Sequence, residues 1–157
     1  MKPLLFCLSI IFSVHINAQS EDELAVKKTI IDFFDAFHKQ DTVALKSFAI
    51  GNIKMQSIGR TKEGETKLKT DDYNSFIKGI ASIPKENKFE EKLTGFTINI
   101  DENMATAWTP YEFWYKGQFS HCGVNSFQLI KENDMWKIIY LVDTRRRDNC
   151  VQKNPKD

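Results

Sequence analysis

Three polar residues near the C-terminal end of the chain, His121, Asp143 and Arg145, have side chains that could act together on a small molecule. A turn sequence at 133–134 predicts two antiparallel strands, whose pairing brings His121 opposite Arg145 or Arg146. Imidazole titrates near neutral pH, so His121 could transfer a proton while Asp143 tunes it and Arg145 binds a carboxylate or stabilises an enolate. Because a one-residue shift in register moves a side chain to the opposite face, the pattern predicts proximity but not a shared face.

The same residues have two other interpretations. Asp143 could form a structural ion pair with a neighbouring arginine, with His121 hydrogen-bonded at a strand end, since such networks also perturb ionisable groups. A zinc site would combine His121 and Asp143 with the thiolates of Cys122 and Cys150, but no CxxC or HxxxH spacing supports it. We therefore expect no metal site and no cofactor. The residues leave open whether His121 and Asp143 are catalytic and whether the protein is an enzyme.

An aromatic segment upstream is a second candidate for function. Its side chains alternate between the two faces of a predicted strand, with Tyr111, Phe113 and Tyr115 on one face and Trp108, Glu112 and Trp114 on the other. One face could line an apolar cavity beneath aromatic residues of the helices, which suits a flat apolar ligand. Core packing and a dimer interface are alternative uses of these aromatic residues. The predicted ligand-binding residues are Phe34, Phe37, His38, Phe76, Tyr111, Phe113 and Arg145.

Two further ionisable residues are candidates for the same cavity. Glu112 is the one carboxylate within the aromatic segment, which makes it a candidate general base. His38 follows Phe34 by four residues at the end of the first predicted helix. It could point into the mouth of the cavity or interact with the carbonyl groups at the helix C-terminus.

Helices are predicted in the N-terminal part of the chain, before the strands that carry most of these side chains. The capping box Ser20–Glu23 precedes apolar residues at helical spacing and predicts a helix from about Glu21 to Lys39. Asp41 can cap a short helix over 42–48, which Gly51 ends.

A hairpin and a third helix come next. Alternating residues over 53–60 and the turn at 62–64 predict a hairpin that continues into Thr66–Leu68. Thr70 is the predicted cap of an amphipathic helix that Pro84 closes.

From Lys88 onward the chain predicts strands joined by tight turns. The four predicted strands are Lys88–Ile100, Met104–Tyr115, Phe119–Lys131 and Met135–Arg145. Helices that precede an antiparallel meander indicate an α+β domain in which the helices cover one face of a curved sheet.

Several segments carry a resemblance to a known family: Phe33–Phe37, Ala107–Phe113, Phe119–Val124, Phe127–Leu129, Trp136–Ile138 and Asp143–Arg146. With the order of elements, they resemble the NTF2-like (SnoaL-like) superfamily, and in particular a bacterial exported subgroup labelled nuclear-transport-factor-2-like or lumazine-binding. The resemblance implies a cone-shaped fold, with a curved antiparallel sheet and N-terminal helices covering its concave face.

What the resemblance implies about function is less specific. The superfamily includes isomerases, dehydratases, hydrolases and non-catalytic binders, so it implies a pocket but no single reaction. This chain also departs from many relatives, because 49–52 reads Ala-Ile-Gly-Asn where they carry acidic or histidine residues.

The N-terminus predicts export. Lys2 precedes a largely apolar 13-residue run, Leu4–Ile16, which is shorter than the roughly 20 residues that span a membrane. We expect a signal peptide at 1–18, an NTF2-like domain at 19–147 and a C-terminal tail at 148–157. The expected location is periplasmic or secreted, without stable membrane association after cleavage.

Removal of the signal peptide changes both the charge and the cysteine count. Lys2 is its one charged residue, so the formal net charge falls from +1 to zero, which argues against a general nucleic-acid binder. Cys122 and Cys150 are the cysteines that stay, and an even count favours a disulfide in an oxidising compartment. Two unpaired thiols are the alternative.

The function expected from these features is the binding of a small, largely apolar organic ligand in the cone. One alternative is an isomerase, dehydratase or hydrolase that uses His121 and Asp143 for proton transfer. Another is a non-catalytic accessory protein that forms a homodimer through its sheet.

Overall fold

The computed structural model describes residues 21–150, so the expected signal peptide and residues 151–157 lie outside the described part. The helices are α1 (Glu21–Lys39), α2 (Thr42–Ser47) and α3 (Tyr73–Ser82). The strands are β1 (Ala49–Arg60), β2 (Thr66–Asp72), β3 (Phe89–Leu93), β4 (Thr97–Asp101), β5 (Met104–Tyr115), β6 (Gln118–Glu132) and β7 (Met135–Thr144). No helix within 21–150 is long and apolar enough to cross a membrane.

The first two helices form where their local sequences predict them. Helix α1 has its predicted bounds, because its apolar residues recur on one side and that side is buried against the sheet. The Asp41 carboxylate caps α2 by accepting hydrogen bonds from the backbone N–H groups of Val43 and Ala44, at 3.1 and 2.9 Å. Helix α2 ends at Ser47, however, and Gly51 lies within β1 at φ 65°.

The predicted cap of the third helix is wrong. Thr70 lies in β2, where its hydroxyl accepts a hydrogen bond from the Gln56 side chain at 2.9 Å. Asp72 caps α3 instead, since its carboxylate accepts from the backbone N–H of Ser75 at 2.9 Å. The difference arises because β2 pairs with β1 as far as Asp72, which delays the start of the helix.

The sheet is mixed rather than purely antiparallel. Its strand order is β2-β1-β7-β6-β5-β3, and β4 also pairs with β5. Strand β1 pairs with β7 in parallel, whereas the other pairings are antiparallel. Parallel neighbours require a long crossover, and the chain from α3 to β6 supplies it. Short turns in the sequence predict antiparallel neighbours, so they do not reveal the parallel pairing of β1 with β7.

The predicted strand Lys88–Ile100 is divided into β3 and β4. Both pair with β5, but with different halves of it. Between them, the backbone N–H of Thr94 donates to the carbonyl of Pro110 at 2.8 Å. Proline has no N–H to return, so the two-way hydrogen bonding of a regular ladder cannot continue across Pro110. The break therefore lies opposite this proline.

The side chains on the inner face of β5 become larger along the strand. Ala105 and Ala107 are buried, and they form part of the apolar core together with the phenylalanines of α1 and Phe127 of β6. Farther along the same face lie the larger side chains of Tyr111 and Phe113. A bulge between Phe113 and the next residue interrupts the alternation, which leaves Tyr115 at 40% exposure. Of the two alternating sets, the face of Tyr111 and Phe113 is the inner one.

The segment that follows β7 is attached to the sheet by the predicted disulfide, which joins Cys122 and Cys150. Closing a loop with a sequence separation of 28 stabilises a fold by about 3–4 kcal/mol. The backbone N–H and carbonyl of Cys122 also exchange hydrogen bonds with Arg146, each at 2.9 Å.

Gly123 lies where β6 and β7 approach each other closely. A Cβ atom at this position would stand 1.7 Å from the carbonyl oxygen of Thr144 and 2.8 Å from Cε1 of Tyr111. Both distances are impossible for real atoms, so only glycine allows the Tyr111 ring and the β7 backbone to pack here.

We expect Gly123→Ala to lower the free energy of unfolding by about 3 kcal/mol, because the added methyl group must displace backbone. Urea unfolding followed by circular dichroism measures this. Gly79→Ala is the control, since its Cβ meets no atom within 4 Å and alanine favours a helix by about 1 kcal/mol. Equal stability of Gly123→Ala and the wild type would contradict the packing described.

Candidate functional site

A cavity of about 560 Å³ opens between the helices and the inner face of the sheet. Its apolar wall consists of Phe33, Phe34, Phe37, Met55, Phe76, Ile80, Ile83, Phe113 and Leu141. Its polar lining consists of Gln56, Ser57, Lys69, Asp71, Ser75, Glu91, His121, Asn125, Asp143 and Arg145. We call this space the cone cavity. Its volume is in the range of sites that enclose small organic molecules.

Seven of the residues that the sequence singles out line the cone cavity. They are Phe34, Phe37, Phe76, Phe113, His121, Asp143 and Arg145. Tyr111 and His38 do not line it, although each supports a residue that does.

Asp143 is the centre of the polar lining. It lies on β7 with only 8% of its surface exposed. Its carboxylate accepts hydrogen bonds from the hydroxyl of Ser57 and from Nε of Arg145, the latter at 2.7 Å. The hydroxyl of Tyr111 lies 3.1 Å from the same carboxylate and 3.0 Å from the carbonyl of Thr144, so its single proton serves two acceptors. These donors come from β1, from β5 and from the segment that follows β7, and they hold the Asp143 side chain in one orientation.

Tyr111 is suited to remain a donor. Burial raises the pKa of its hydroxyl, and the nearby carboxyl groups of Asp143 and Glu91 raise it further. The phenol therefore stays protonated over the physiological pH range.

Glu91 is a cavity residue that the sequence analysis missed. Its Oε1 accepts a hydrogen bond from the Asn125 amide at 2.7 Å, and Asn125 is the cross-strand partner of Asp143. Burial raises the pKa of Glu91 to about 8, and the charge of Asp143 adds to the effect, whereas Asn125 and Arg145 oppose it. Glu91 is thus mainly a neutral carboxylic acid at pH 7. The sequence contains a weak indication that Glu91 faces inward, since it alternates with the apolar residues Phe89 and Leu93 on one side of a strand.

His121 lies beside Phe113, with ring centroids 4.9 Å apart and the planes inclined by 26°. Its Nδ1 is 3.1 Å from the hydroxyl of Ser120. Burial lowers the pKa of His121, and the positive charge of Arg145 lowers it further, while Asp143 opposes them. Within 21–150 no hydrogen bond joins His121 to Asp143.

The register between β6 and β7 differs from the predicted one. Asp143 pairs with Asn125, and Cys122 bridges to Arg146, because a bulge follows Gln128 and shifts the pairing by one residue. The shift still leaves His121, Asp143 and Arg145 around one cavity. Asp143 lies near the end of β7 and Arg145 directly follows the strand, and the two side chains form an ion pair.

The other candidate residues have structural contacts instead. Nε2 of His38 accepts a hydrogen bond from the backbone N–H of Glu91 at 2.8 Å, so His38 holds β3 against α1 rather than entering the cavity mouth. Burial lowers the pKa of His38, which favours the neutral imidazole that this bond requires. Glu112 accepts from the indole of Trp114 at 3.1 Å and is not a cavity residue. Asn52 accepts from the backbone N–H of Asn74.

The residues of the alternative zinc site are not arranged for it. Both cysteine sulfur atoms belong to the disulfide, so neither thiolate is available while it is intact. In the described part of the chain, no three His, Cys, Asp or Glu side chains are grouped to hold a metal ion.

The raised pKa of Glu91 predicts a pH-dependent stability. Between its ordinary value of 4.5 and about 8, the folded state binds more protons than the unfolded state, so the free energy of unfolding falls as pH rises. We expect Glu91→Gln to remove most of this fall while keeping an acceptor for Asn125. The gain over the wild type at pH 8 should reach a few kcal/mol, since one pKa unit corresponds to about 1.4 kcal/mol.

Urea unfolding at pH 5 and pH 8 measures the difference. Glu90→Gln is the matched control, because Glu90 is exposed on the same strand and does not line the cavity. Parallel pH profiles of Glu91→Gln and Glu90→Gln would show that the Glu91 carboxyl is not desolvated.

Comparisons with known proteins identify the fold. No family model matches the chain, and no curated protein matches it. Among solved structures, an NTF2-like protein with a cystatin-like fold from Novosphingobium aromaticivorans matches with a TM-score of 0.65 at 14% identity, covering 83% of this chain and 85% of that one.

Two further solved structures match over similar lengths. A protein of unknown function with a cystatin-like fold from Nostoc punctiforme has a TM-score of 0.63 at 12% identity, covering 81% of this chain and 92% of that one. A protein from Streptomyces avermitilis, described as a candidate dehydratase of the NTF2-like family, has a TM-score of 0.59 at 13% identity, covering 80% and 96%. At these identities the likeness establishes the architecture, and the chain has the NTF2-like cone fold that its sequence predicted.

Proposed function

We propose that the protein binds a small, largely apolar organic molecule in the cone cavity. The observation that carries this proposal is the cavity itself, about 560 Å³ of space with an aromatic wall and an ionisable polar lining. A protein whose helices and sheet served only as an interaction surface would have no need to leave this space unfilled, because tight packing stabilises a core.

The aromatic wall favours a ligand with a flat or slender apolar body. The rings of Phe37 and Phe76 are stacked at 5.7 Å with planes inclined by 20°, and those of Phe33 and Phe76 at 6.4 Å with 19°. Nearly parallel rings present a smooth apolar surface to a planar molecule.

The polar lining supplies a donor and an acceptor for one polar atom of the ligand. Neutral Glu91 can donate its carboxyl proton, whereas Asp143 accepts. A ligand whose polar atom meets both groups is preferred over a hydrocarbon of the same shape, because the hydrocarbon would displace water from them without replacing its hydrogen bonds.

We also infer that the protein functions outside the cytoplasm, in the periplasm or as a secreted protein. The Cys122–Cys150 disulfide supports this location, since such bonds persist in oxidising compartments. The signal-peptide pattern at 1–18 agrees with it.

A titration with N-phenyl-1-naphthylamine, an uncharged fluorescent probe, tests binding in the cone cavity. We expect saturable binding that Gly79→Leu weakens by about tenfold, because Gly79 lines the cavity and its Cβ faces open space that a leucine side chain would fill. Ala81→Leu is the matched control, with the same side chain on an exposed position of α3 outside the cavity. Absence of binding, or equal weakening by both variants, would count against the proposal.

A second candidate function is acid–base catalysis on the bound molecule. The observation that favours it is the pair of carboxyl groups, since Glu91 is held protonated while Asp143 is surrounded by donors. Two such groups in different environments can serve as acid and base. Glu91 would then act as the acid and Asp143 as the base, and His121, which lines the same cavity, is a further candidate for the proton transfer of an isomerase or dehydratase.

Native mass spectrometry of the purified protein, followed by incubation with the molecule it carries, separates the two functions. Under the binding function, the molecule is recovered intact from the wild type, from His121→Ala and from Asp143→Asn. Asp143→Asn weakens its binding because Asp143 is the acceptor for the ligand, whereas His121→Ala leaves the affinity nearly unchanged. Under the catalytic function, the wild type converts the molecule, and each variant loses at least about a hundredfold in rate. Conversion at equal rates by all three proteins would exclude His121 and Asp143 from catalysis.

A further inference from the structure

A second concave surface adjoins the cone cavity beside His121 and Arg145. It has a volume of about 770 Å³ and lies between the β1–β2 turn and the segment that follows β7. Its cationic residues are Arg60, Lys62, Arg145, Arg146 and Arg147, and we call it the basic groove. His121 and Arg145 line both the basic groove and the cone cavity, so the two spaces are adjacent.

The positive charge of the groove is largely uncompensated. Asp148 is the one carboxylate among its lining residues. Within 21–150, Arg145 is the one groove cation that forms an ion pair, with Asp143 at 2.7 Å, and no carboxylate lies within 4 Å of the other four. The whole chain has a formal net charge of only +1, so this concentration of charge is local.

The two walls of the groove are held by the sheet and by the disulfide. The backbone N–H of Arg145 donates to the carbonyl of Ile58 at 2.8 Å, which joins the walls. The Cys122–Cys150 bond and the paired hydrogen bonds between Cys122 and Arg146 fix the segment that carries the arginines. Cations on a fixed backbone lose less freedom on binding an anion than cations on a mobile tail.

Arg145 is placed to join the two spaces. Its Nε is occupied by Asp143, which orients the guanidinium at the boundary. The remaining N–H groups of a guanidinium can donate to a second anion, and its planar fork matches a carboxylate or phosphate. An anionic group beside Arg145 would therefore be close to the polar lining of the cone cavity and to the other groove cations.

We propose that the ligand is an anionic amphiphile, whose apolar body occupies the cone cavity and whose carboxylate, phosphate or sulfonate group binds in the basic groove. This inference rests on the proposed binding function and adds the charge of the ligand to it. Burial lowers the pKa of His121, and the positive charges of Arg145 and Arg147 lower it further, which agrees with a positive potential at this boundary.

Paired probes test the proposal. Anilinonaphthalene sulfonate and N-phenyl-1-naphthylamine share one ring system, and only the former carries an anionic group. We expect the sulfonate to bind about tenfold more tightly at low salt, as charge-assisted hydrogen bonds would give, with the advantage declining as salt screens the groove. We expect the double variant Arg60→Gln/Lys62→Gln and the single variant Arg147→Gln each to reduce the ratio of the two affinities by at least about threefold. The affinity for the uncharged probe should stay unchanged in both.

Lys46→Gln/Lys78→Gln is the matched control, because it removes the same charge from exposed positions outside both spaces. Displacement of the bound sulfonate by decanoate, decyl phosphate and decanol distinguishes the anionic groups, and either anion should displace it better than the alcohol. Equal affinity for the two probes, or equal loss in the control variant, would overturn the groove as an anion site. Failure of the uncharged probe to bind the wild type would instead overturn the proposed binding in the cone cavity.

Discussion

The buried carboxylate of Asp143 connects the strands on which the rest of the site depends. It receives donors from Ser57 on β1 and Tyr111 on β5, as well as from Arg145 directly after its own strand. A buried carboxylate is stable only when its oxygen atoms are hydrogen-bonded, so these donors must stay in place. Because the donors span the sheet, the same interactions set the positions of the strands and the shape of the cavity lining.

This arrangement depends on the absence of a side chain at Gly123. Tyr111 lies opposite Gly123 across the strand pair, and its ring passes over the position that a Cβ would take. Only that close approach allows the phenol to reach Asp143 and the carbonyl of Thr144. Packing and hydrogen bonding are therefore coupled, and a disturbance of either would alter the other.

Charge is distributed unevenly from the interior of the cone to its edge. Inside, burial favours the neutral forms of Glu91, His38 and His121. Outside, the arginines of the basic groove are charged and face solvent. Arg145 lies at the boundary, and it is bound to the interior through Asp143. An apolar interior beside a positive edge is the electrostatic pattern that a molecule with an apolar body and an anionic end would complement.

The sequence by itself determined those features that arise from local physics. The bounds of α1 follow from its 3.6-residue apolar period, and the pairing of Cys122 with Cys150 follows from the two cysteines that lie beyond the expected signal peptide. Only the tertiary structure decided that β1 joins β7 in parallel, since that contact spans a long crossover. It also decided that Glu91, one acidic residue in a charged run, lines the cavity with a raised pKa, because that pKa depends on burial between elements that are distant in sequence.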